Sequence, residues 1–113
     1  MRVLEGEQVL MRVFVGEGDW RDGRPLYKVL VEMLRREKLA GATVLRGILG
    51  FGAKSHIHSA HLLRLSQDLP IVVEVVDTED NINRVMPKID EMIEEGLVTI
   101  EKVHVMRYAP KAK

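Results

Sequence analysis

Three histidines lie close together at His56, His58 and His61, and imidazole nitrogens are good ligands for zinc or nickel. In an extended loop His56 and His58 would share one side, and His61 could fold back toward them. No carboxylate lies beside them to complete a tetrahedral set, and the chain has no cysteine. We therefore predict no metal site, and we keep metal binding by these histidines as the weaker alternative.

A glycine-punctuated segment, Gly41–Gly52, precedes the histidines and reads GATVLRGILGFG. The backbone N–H groups at Gly47, Gly50 and Gly52 could approach a phosphate closely. Arg46 could hold a phosphate or a carboxylate with its two-pronged guanidinium. The alternative is structural, because glycines at the end of a strand also permit twist and close packing.

Thr43, Arg107 and Tyr108 are further candidates for ligand contacts. A threonine hydroxyl could hydrogen-bond a base or a ribose, an arginine could pair with phosphate, and a tyrosine ring could stack on a base. Thr43 could instead be an ordinary strand residue, and Arg107 and Tyr108 could be an exposed pair on an edge strand.

The acidic and nucleophilic residues do not form a recognisable catalytic set. Glu74 falls inside a predicted strand and Asp77 is better explained as a helix cap, so with Asp68 they offer no paired carboxylates. The serines near the histidines lack a nucleophile elbow. We expect no enzymatic activity and no required cofactor.

Length and charge restrict the class of protein. The chain has 113 residues, of which 46% are hydrophobic, so we expect a single domain with a core at about 9–108 and a flexible tail at 109–113. The 17 basic residues balance 17 acidic ones, which argues against a general nucleic-acid binder. The N-terminus has no signal-peptide core and no apolar run could span a bilayer, so we expect a cytoplasmic protein that is not membrane-embedded.

Hydrophobic periodicity predicts the elements that must position these residues. Predicted strands cover Val9–Gly16, Thr43–Ile48, Ile71–Asp77 and Val98–Tyr108. One helix is predicted at about Pro25–Ala40 with Gly41 as its terminator, and a second begins at Asp77-Thr78 and is closed by Gly96. Within that second helix, Pro87 predicts a kink or a later start. A change of apolar face between Ile100 and Val103 predicts a bulge near Glu101-Lys102.

Two β-α-β units in so short a chain favour an α+β fold, the ferredoxin-like βαββαβ sandwich. It would have a four-stranded antiparallel sheet with both helices on one face. The other face would still carry apolar side chains such as Leu10 and Phe14. We therefore predict that a homo-oligomer covers it.

At the level of motifs, Gly41-Ala-Thr-Val44 leading to Gly50-Phe-Gly52 is similar to the G-x-T-V…G-F-G segment of the PII signal-transduction proteins. Together with the histidine-rich loop, Ser66-Gln-Asp-Leu-Pro70 and Glu74-Val-Val-Asp-Thr78, it more closely resembles an uncharacterised PII-like branch. The resemblance covers Val9–Tyr108.

The resemblance implies a ferredoxin-like subunit, usually trimeric, with adenine nucleotides bound in clefts between subunits. It also implies a loop after the second strand that signals to a partner protein, such as a transporter or an enzyme. The nucleotide-binding residues it implies are Thr43, Arg46, Gly47, Gly50, Phe51, Gly52, Arg107 and Tyr108. The partner loop it implies carries Lys54, His56, His58 and His61.

The chain also departs from the PII pattern. Its Gly41–Gly52 segment is one residue longer, the following loop has no tyrosine to modify, and the Gly-Asp-Gly-Lys turn is replaced by Glu94-Glu95-Gly96-Leu97. Because Lys102 and Arg107 only partly supply the basic residues of the last strand, we predict ADP or AMP rather than ATP. A ligand-free protein-interaction module is the alternative from another class.

Overall fold

The computed structural model describes residues 4–51, 58–59 and 69–110. Its elements in chain order are β1 (Gly6–Gly16), β2 (Trp20–Arg21), β3 (Arg24–Pro25), α1 (Leu26–Arg36), β4 (Thr43–Arg46), β5 (Leu49–Gly50), β6 (His58–Ser59), β7 (Pro70–Asp77), α2 (Glu79–Met92) and β8 (Leu97–Val105).

Four of these strands form one antiparallel sheet in the order β4-β7-β1-β8. β1 lies in the interior of the sheet and pairs with both β7 and β8. β4 pairs with the other side of β7. The helices α1 and α2 occupy the predicted places in the chain, so the ferredoxin-like βαββαβ fold is confirmed. Two short pairs, β2 with β3 and β5 with β6, are additional to the main sheet.

The hydrophobic core lies between the sheet and the two helices. Its residues recur at period two on the strands and at helical spacing on the helices. They are Val9, Met11, Val13, Val15, Ile71, Val73 and Val75 from the sheet, and Leu26, Leu30, Met33, Leu34, Ile82, Val85 and Ile89 from the helices. Each fully buried side chain of this size contributes about 1.5–3 kcal/mol to folding.

The alternate residues of the strands form the opposite side of the sheet, which we call the open face. On β1 and β7 it includes Leu10, Phe14, Val72 and Val76, all partly exposed. On the edge strand β8 it includes Leu97, which is 56% exposed. The expectation of apolar side chains on this second face is confirmed.

Helix α1 ends earlier than predicted. Lys38, with φ of 65°, takes the left-handed conformation assigned to Gly41. The N–H of Leu39 donates to the carbonyl of Leu34 at 3.1 Å and that of Lys38 to Arg35 at 3.0 Å, the two bonds of a Schellman motif. The prediction that Gly41 terminates the helix was therefore wrong, and residues 39–42 form a connection to β4.

Two other local predictions also differ from the structure. α2 runs from Glu79 to Met92 through Pro87, so the later start is wrong. β8 pairs with β1 without interruption from Gly6↔Val105 to Phe14↔Leu97, so the bulge is wrong. The apolar residues of β8 can move from one face of the strand to the other because an edge strand is not packed uniformly on either side.

Strand β8 ends at Val105, earlier than predicted. Arg107 and Tyr108 therefore follow the strand.

A buried carboxylate joins the connection before β4 to α2. Asp77 is 0% exposed. Its Oδ2 accepts a hydrogen bond from the N–H of Ala40 at 2.7 Å, and its Oδ1 accepts from the N–H of Thr78 at 2.7 Å and from Asn81 Nδ2 at 2.9 Å. Buried charges persist where donors satisfy them. Asp77 therefore holds residues 39–42 against the start of α2.

Replacing Asp77 with alanine would leave these buried donors without their acceptor. We expect the free energy of unfolding to fall by about 2–4 kcal/mol in urea denaturation. Thr78→Ala is the matched control, because it removes only the N-cap bond to the N–H of Asn81, worth about 1 kcal/mol. Equal losses in the two variants would contradict this role for Asp77.

Gly96, between α2 and β8, packs directly against the sheet. A Cβ there would lie 2.7 Å from the carbonyl oxygen of Phe14 and 3.0 Å from Ile93 Cγ2. We expect Gly96→Ala to lower the free energy of unfolding by about 1–3 kcal/mol. Gly41→Ala should cost less than about 0.5 kcal/mol, because nothing lies within 4 Å of a Cβ at that position. Thermal melts of both variants test this, and an unchanged melting temperature for Gly96→Ala would refute it.

Candidate functional site

A cleft of about 470 Å³ lies on the open face, where the start of β4 and the end of β7 meet the segment after β8. Its volume is within the range of small-molecule sites. The floor is apolar and is formed by Leu4, Leu10, Val76 and Val105. Strand alternation places Leu10 and Val76 there, since the residues before and after each of them are buried on the helix side of the sheet.

One wall of the cleft is the connection Ala40, Gly41 and Ala42. The N–H of Ala40 donates to Asp77, and the carbonyl of Ala40 accepts a hydrogen bond from the Tyr108 hydroxyl at 3.3 Å. The wall is thus held from the core on one side and from the C-terminal segment on the other. Its backbone can approach a ligand closely because these three side chains are small.

Four polar side chains complete the lining: Thr43, Glu74, Arg107 and Tyr108. Thr43 and Glu74 are directly opposite each other on β4 and β7, a placement that brings Cβ atoms to about 4.5–5.5 Å. The site therefore combines an apolar floor with hydroxyl groups, a carboxylate acceptor and a guanidinium. Such a set can hold a flat ring, hydrogen-bond donors and an anionic group together.

Glu74 is also bound from the centre of the open face. Arg12 Nε donates to Glu74 Oε2 at 2.8 Å, and Arg12 Nη1 donates to Glu101 Oε1 at 2.7 Å. The hydrogen bond with Glu74, and then that with Glu101, raises the pKa of Arg12 above its ordinary value. Arg12 is therefore a permanent cation behind a carboxylate that lines the cleft.

The structure brings together only some of the predicted nucleotide-binding residues. Thr43, Arg107 and Tyr108 line the cleft. Arg46 lies at the other end of β4 and forms an ion pair with Glu17. Phe51 follows β5 and is 73% exposed. Nucleotide binding by Arg46 and Phe51 stays a prediction.

Gly47 and Gly50 have a packing role in this fold. The N–H of Gly47 donates to the carbonyl of Pro70 at 2.7 Å. A Cβ on Gly47 would lie 3.2 Å from Pro70 Cγ, and one on Gly50 would lie only 2.8 Å from it. Close approach to Pro70 is thus a structural reason for both glycines, and their contact with phosphate stays a prediction.

The remaining predicted residues concern the segment after β5. Gly52, Lys54, His56 and His61 lie outside the described residues. His58 lies in β6 opposite Gly50. Within the described part of the chain, no group of three or more His, Asp or Glu side chains could hold a metal ion. Neither of the two described helices is both long and apolar enough to cross a membrane.

Sequence reasoning missed Glu74 and the small-residue wall of the cleft. The signal for Glu74 was a single carboxylate inside the apolar run IVVEVV, at a position facing away from the core. The wall could not be found in the same way, because the first helix was predicted to continue to Ala40.

Comparison with known proteins identifies relatives over most of the chain. The model of the DUF190 family (uncharacterized ACR) matches residues 8–105. The chain is 40% identical over 99 residues to a UPF0166 protein of Methanocaldococcus jannaschii, covering 87% of this chain and 91% of that protein. It is 39% identical over 106 residues to a UPF0166 protein of Aquifex aeolicus, covering 94% and 98%.

Among solved structures, the chain resembles CPII, a nitrogen regulatory PII-like protein from Thiomonas intermedia K12 bound to ADP, AMP and bicarbonate. The TM-score is 0.72 with 15% identity over 94% of both chains. A CPII structure bound to ADP and bicarbonate gives a TM-score of 0.65 with 17% identity over 94% and 95% of the chains. At this identity the likeness establishes the fold. The likeness to CPII shows that the chain has the fold of that PII-like protein, and the sequence match over residues 8–105 shows that the chain belongs to the DUF190 family.

Proposed function

We propose that this protein is a PII-like regulator that binds an adenine nucleotide in the cleft on the open face. The observation that carries the proposal is the lining itself, which joins an apolar floor to Thr43, Glu74, Arg107 and Tyr108. Further support comes from CPII, which has the same fold and is bound to ADP and AMP. In this role the cleft binds a ligand and performs no catalysis.

Each part of a nucleotide has a complementary group in the cleft. The base lies on the apolar floor of Leu10 and Val76, near the ring of Tyr108. Glu74 accepts hydrogen bonds from an amino or hydroxyl group, and Thr43 donates or accepts beside it. Arg107 pairs with phosphate through charge-assisted hydrogen bonds.

The charges of the cleft favour AMP or ADP over ATP. Arg107 is the one cation among the described lining residues, and Glu74 adds an opposing negative charge. A triphosphate would add negative charge without a further described cation to balance it. This agrees with the absence of the Gly-Asp-Gly-Lys turn from the sequence.

We further propose a homotrimer in which copies of the chain cover one another's open faces and border the cleft. The support is the amount of apolar surface there, since Leu45 and Leu97 are 48% and 56% exposed beside the partly exposed Leu10, Phe14 and Val72. Exposed apolar patches of this kind mark association surfaces. Burial of the patch would also exclude water from the cleft.

In this proposal the segment with Lys54, His56, His58 and His61 contacts a partner protein in the cytoplasm, such as a transporter or an enzyme. The support is its position in the chain, directly after β5 and the predicted Gly47–Gly52 turn. Ligand binding at the start of β4 and partner contact by the segment after β5 would then be connected along the chain through β4.

Isothermal titration calorimetry with AMP, ADP and ATP tests the nucleotide proposal. We expect binding, with AMP or ADP tighter than ATP, and about tenfold weaker ADP binding for Arg107→Gln because a charge-assisted hydrogen bond is lost. Arg24→Gln is the control, since Arg24 pairs with Glu32 away from the cleft. The absence of heat with all three nucleotides would refute the proposal.

Sedimentation velocity tests the assembly. We expect Val72→Lys, which places a charge in the middle of the open face, to convert a trimer to monomers. Trp20→Lys makes the same kind of change at an exposed position on β2 and should leave the trimer intact. A monomeric native protein, or a trimeric Val72→Lys variant, would show that the open face is not the association surface.

A further inference from the structure

Arg12 lies in the middle of β1 and, among the described lining residues of the cleft, forms a hydrogen bond with Glu74. We propose that Arg12 is a positioning residue of the ligand site, which orients the Glu74 carboxylate and offsets its charge so that the cleft accepts an anionic ligand. The inference rests on the proposed nucleotide binding and adds to it the group that makes a carboxylate compatible with a phosphate.

The geometry shows how Arg12 would act on Glu74. Arg12 and Glu74 are direct partners in the β1–β7 register, and their side chains meet at 2.8 Å. The second contact of Arg12, to Glu101 on β8 at 2.7 Å, holds the guanidinium from the opposite side. Glu74 is therefore held by a group that is itself anchored across three strands.

The charges show why the cleft needs such a group. Among the described residues that the register places on the open face, Arg12 is the one cation, and Glu74 and Glu101 are the anions. The side chain of Glu74 is only 28% exposed, so solvent screens its charge incompletely. Without Arg12, the carboxylate would repel the phosphates of a ligand in the same cleft.

A purely structural role makes a different prediction. Cross-strand ion pairs stabilise sheets modestly, and loss of one would weaken the binding of every ligand to a similar extent. Loss of charge compensation would instead weaken binding in proportion to the negative charge of the ligand. Ligands that share adenosine and differ in phosphate number separate the two roles.

The experiment is calorimetry of adenosine, AMP and ADP on the intact protein at low salt. For Arg12→Met, which keeps much of the side-chain volume, we expect adenosine affinity within about twofold of the native value and ADP affinity lower by about tenfold, with AMP between them. Arg12→Lys should recover most of the ADP affinity. Glu101→Gln keeps an oxygen that can accept the bond from Arg12 Nη1 and removes one negative charge, so the ratio of ADP to adenosine affinity should not fall.

Glu74→Gln keeps Arg12 and provides a second, independent measurement if Arg12→Met does not fold. It should shift the preference toward ADP over adenosine, opposite to Arg12→Met. Equal losses for adenosine and ADP in Arg12→Met, or a Glu74→Gln preference that shifts away from ADP, would overturn the role of Arg12. If the native protein binds ADP and a variant gives either of these results, the proposed function would still stand. A native protein that binds none of the three ligands would overturn both.

Discussion

In the middle of the sheet, β1 pairs with β7 so that Met11 lies beside Val75 and Arg12 lies beside Glu74. The first pair faces the helices and is buried, and the second faces away from them. Because side chains alternate along a strand, this one register assigns every residue of both strands to the core or to the open face. A shift of β1 by one residue would turn its core side chains to the open face and would separate Arg12 from Glu74.

The cleft depends on that assignment and also on the hydrogen bonds that hold the connection between α1 and β4. Its floor is the open face, while its small-residue wall belongs to the connection between α1 and β4. Asp77 binds the N–H of Ala40 from the core, and Tyr108 binds the carbonyl of Ala40 from the C-terminal segment. The ligand site therefore uses parts of the chain that are far apart in sequence, and each is held by a hydrogen bond to another element.

Most of the elements could be predicted from sequence because their apolar residues follow one clear period. The core faces of β1 and β7 and the apolar stripes of α1 and α2 were found in this way. The errors fall where tertiary contacts or backbone conformation decide. Lys38 rather than Gly41 ends α1, and the edge position of β8 lets its apolar residues change face without a bulge. The candidate site was predicted in part, since Thr43, Arg107 and Tyr108 line the cleft and Glu74 and Ala40 were missed.

By itself, the sequence determined the order of strands and helices, the apolar face of each and the motifs that resemble the PII-like proteins, because these are local or periodic properties of the chain. Only the tertiary structure decided which polar residues meet. It joined Thr43 to Glu74 and Arg12 to both Glu74 and Glu101, since antiparallel pairing makes neighbours of residues about 30 to 90 positions apart. It also gave Gly47 and Gly50 a packing reason against Pro70, a contact that spacing along the chain does not reveal.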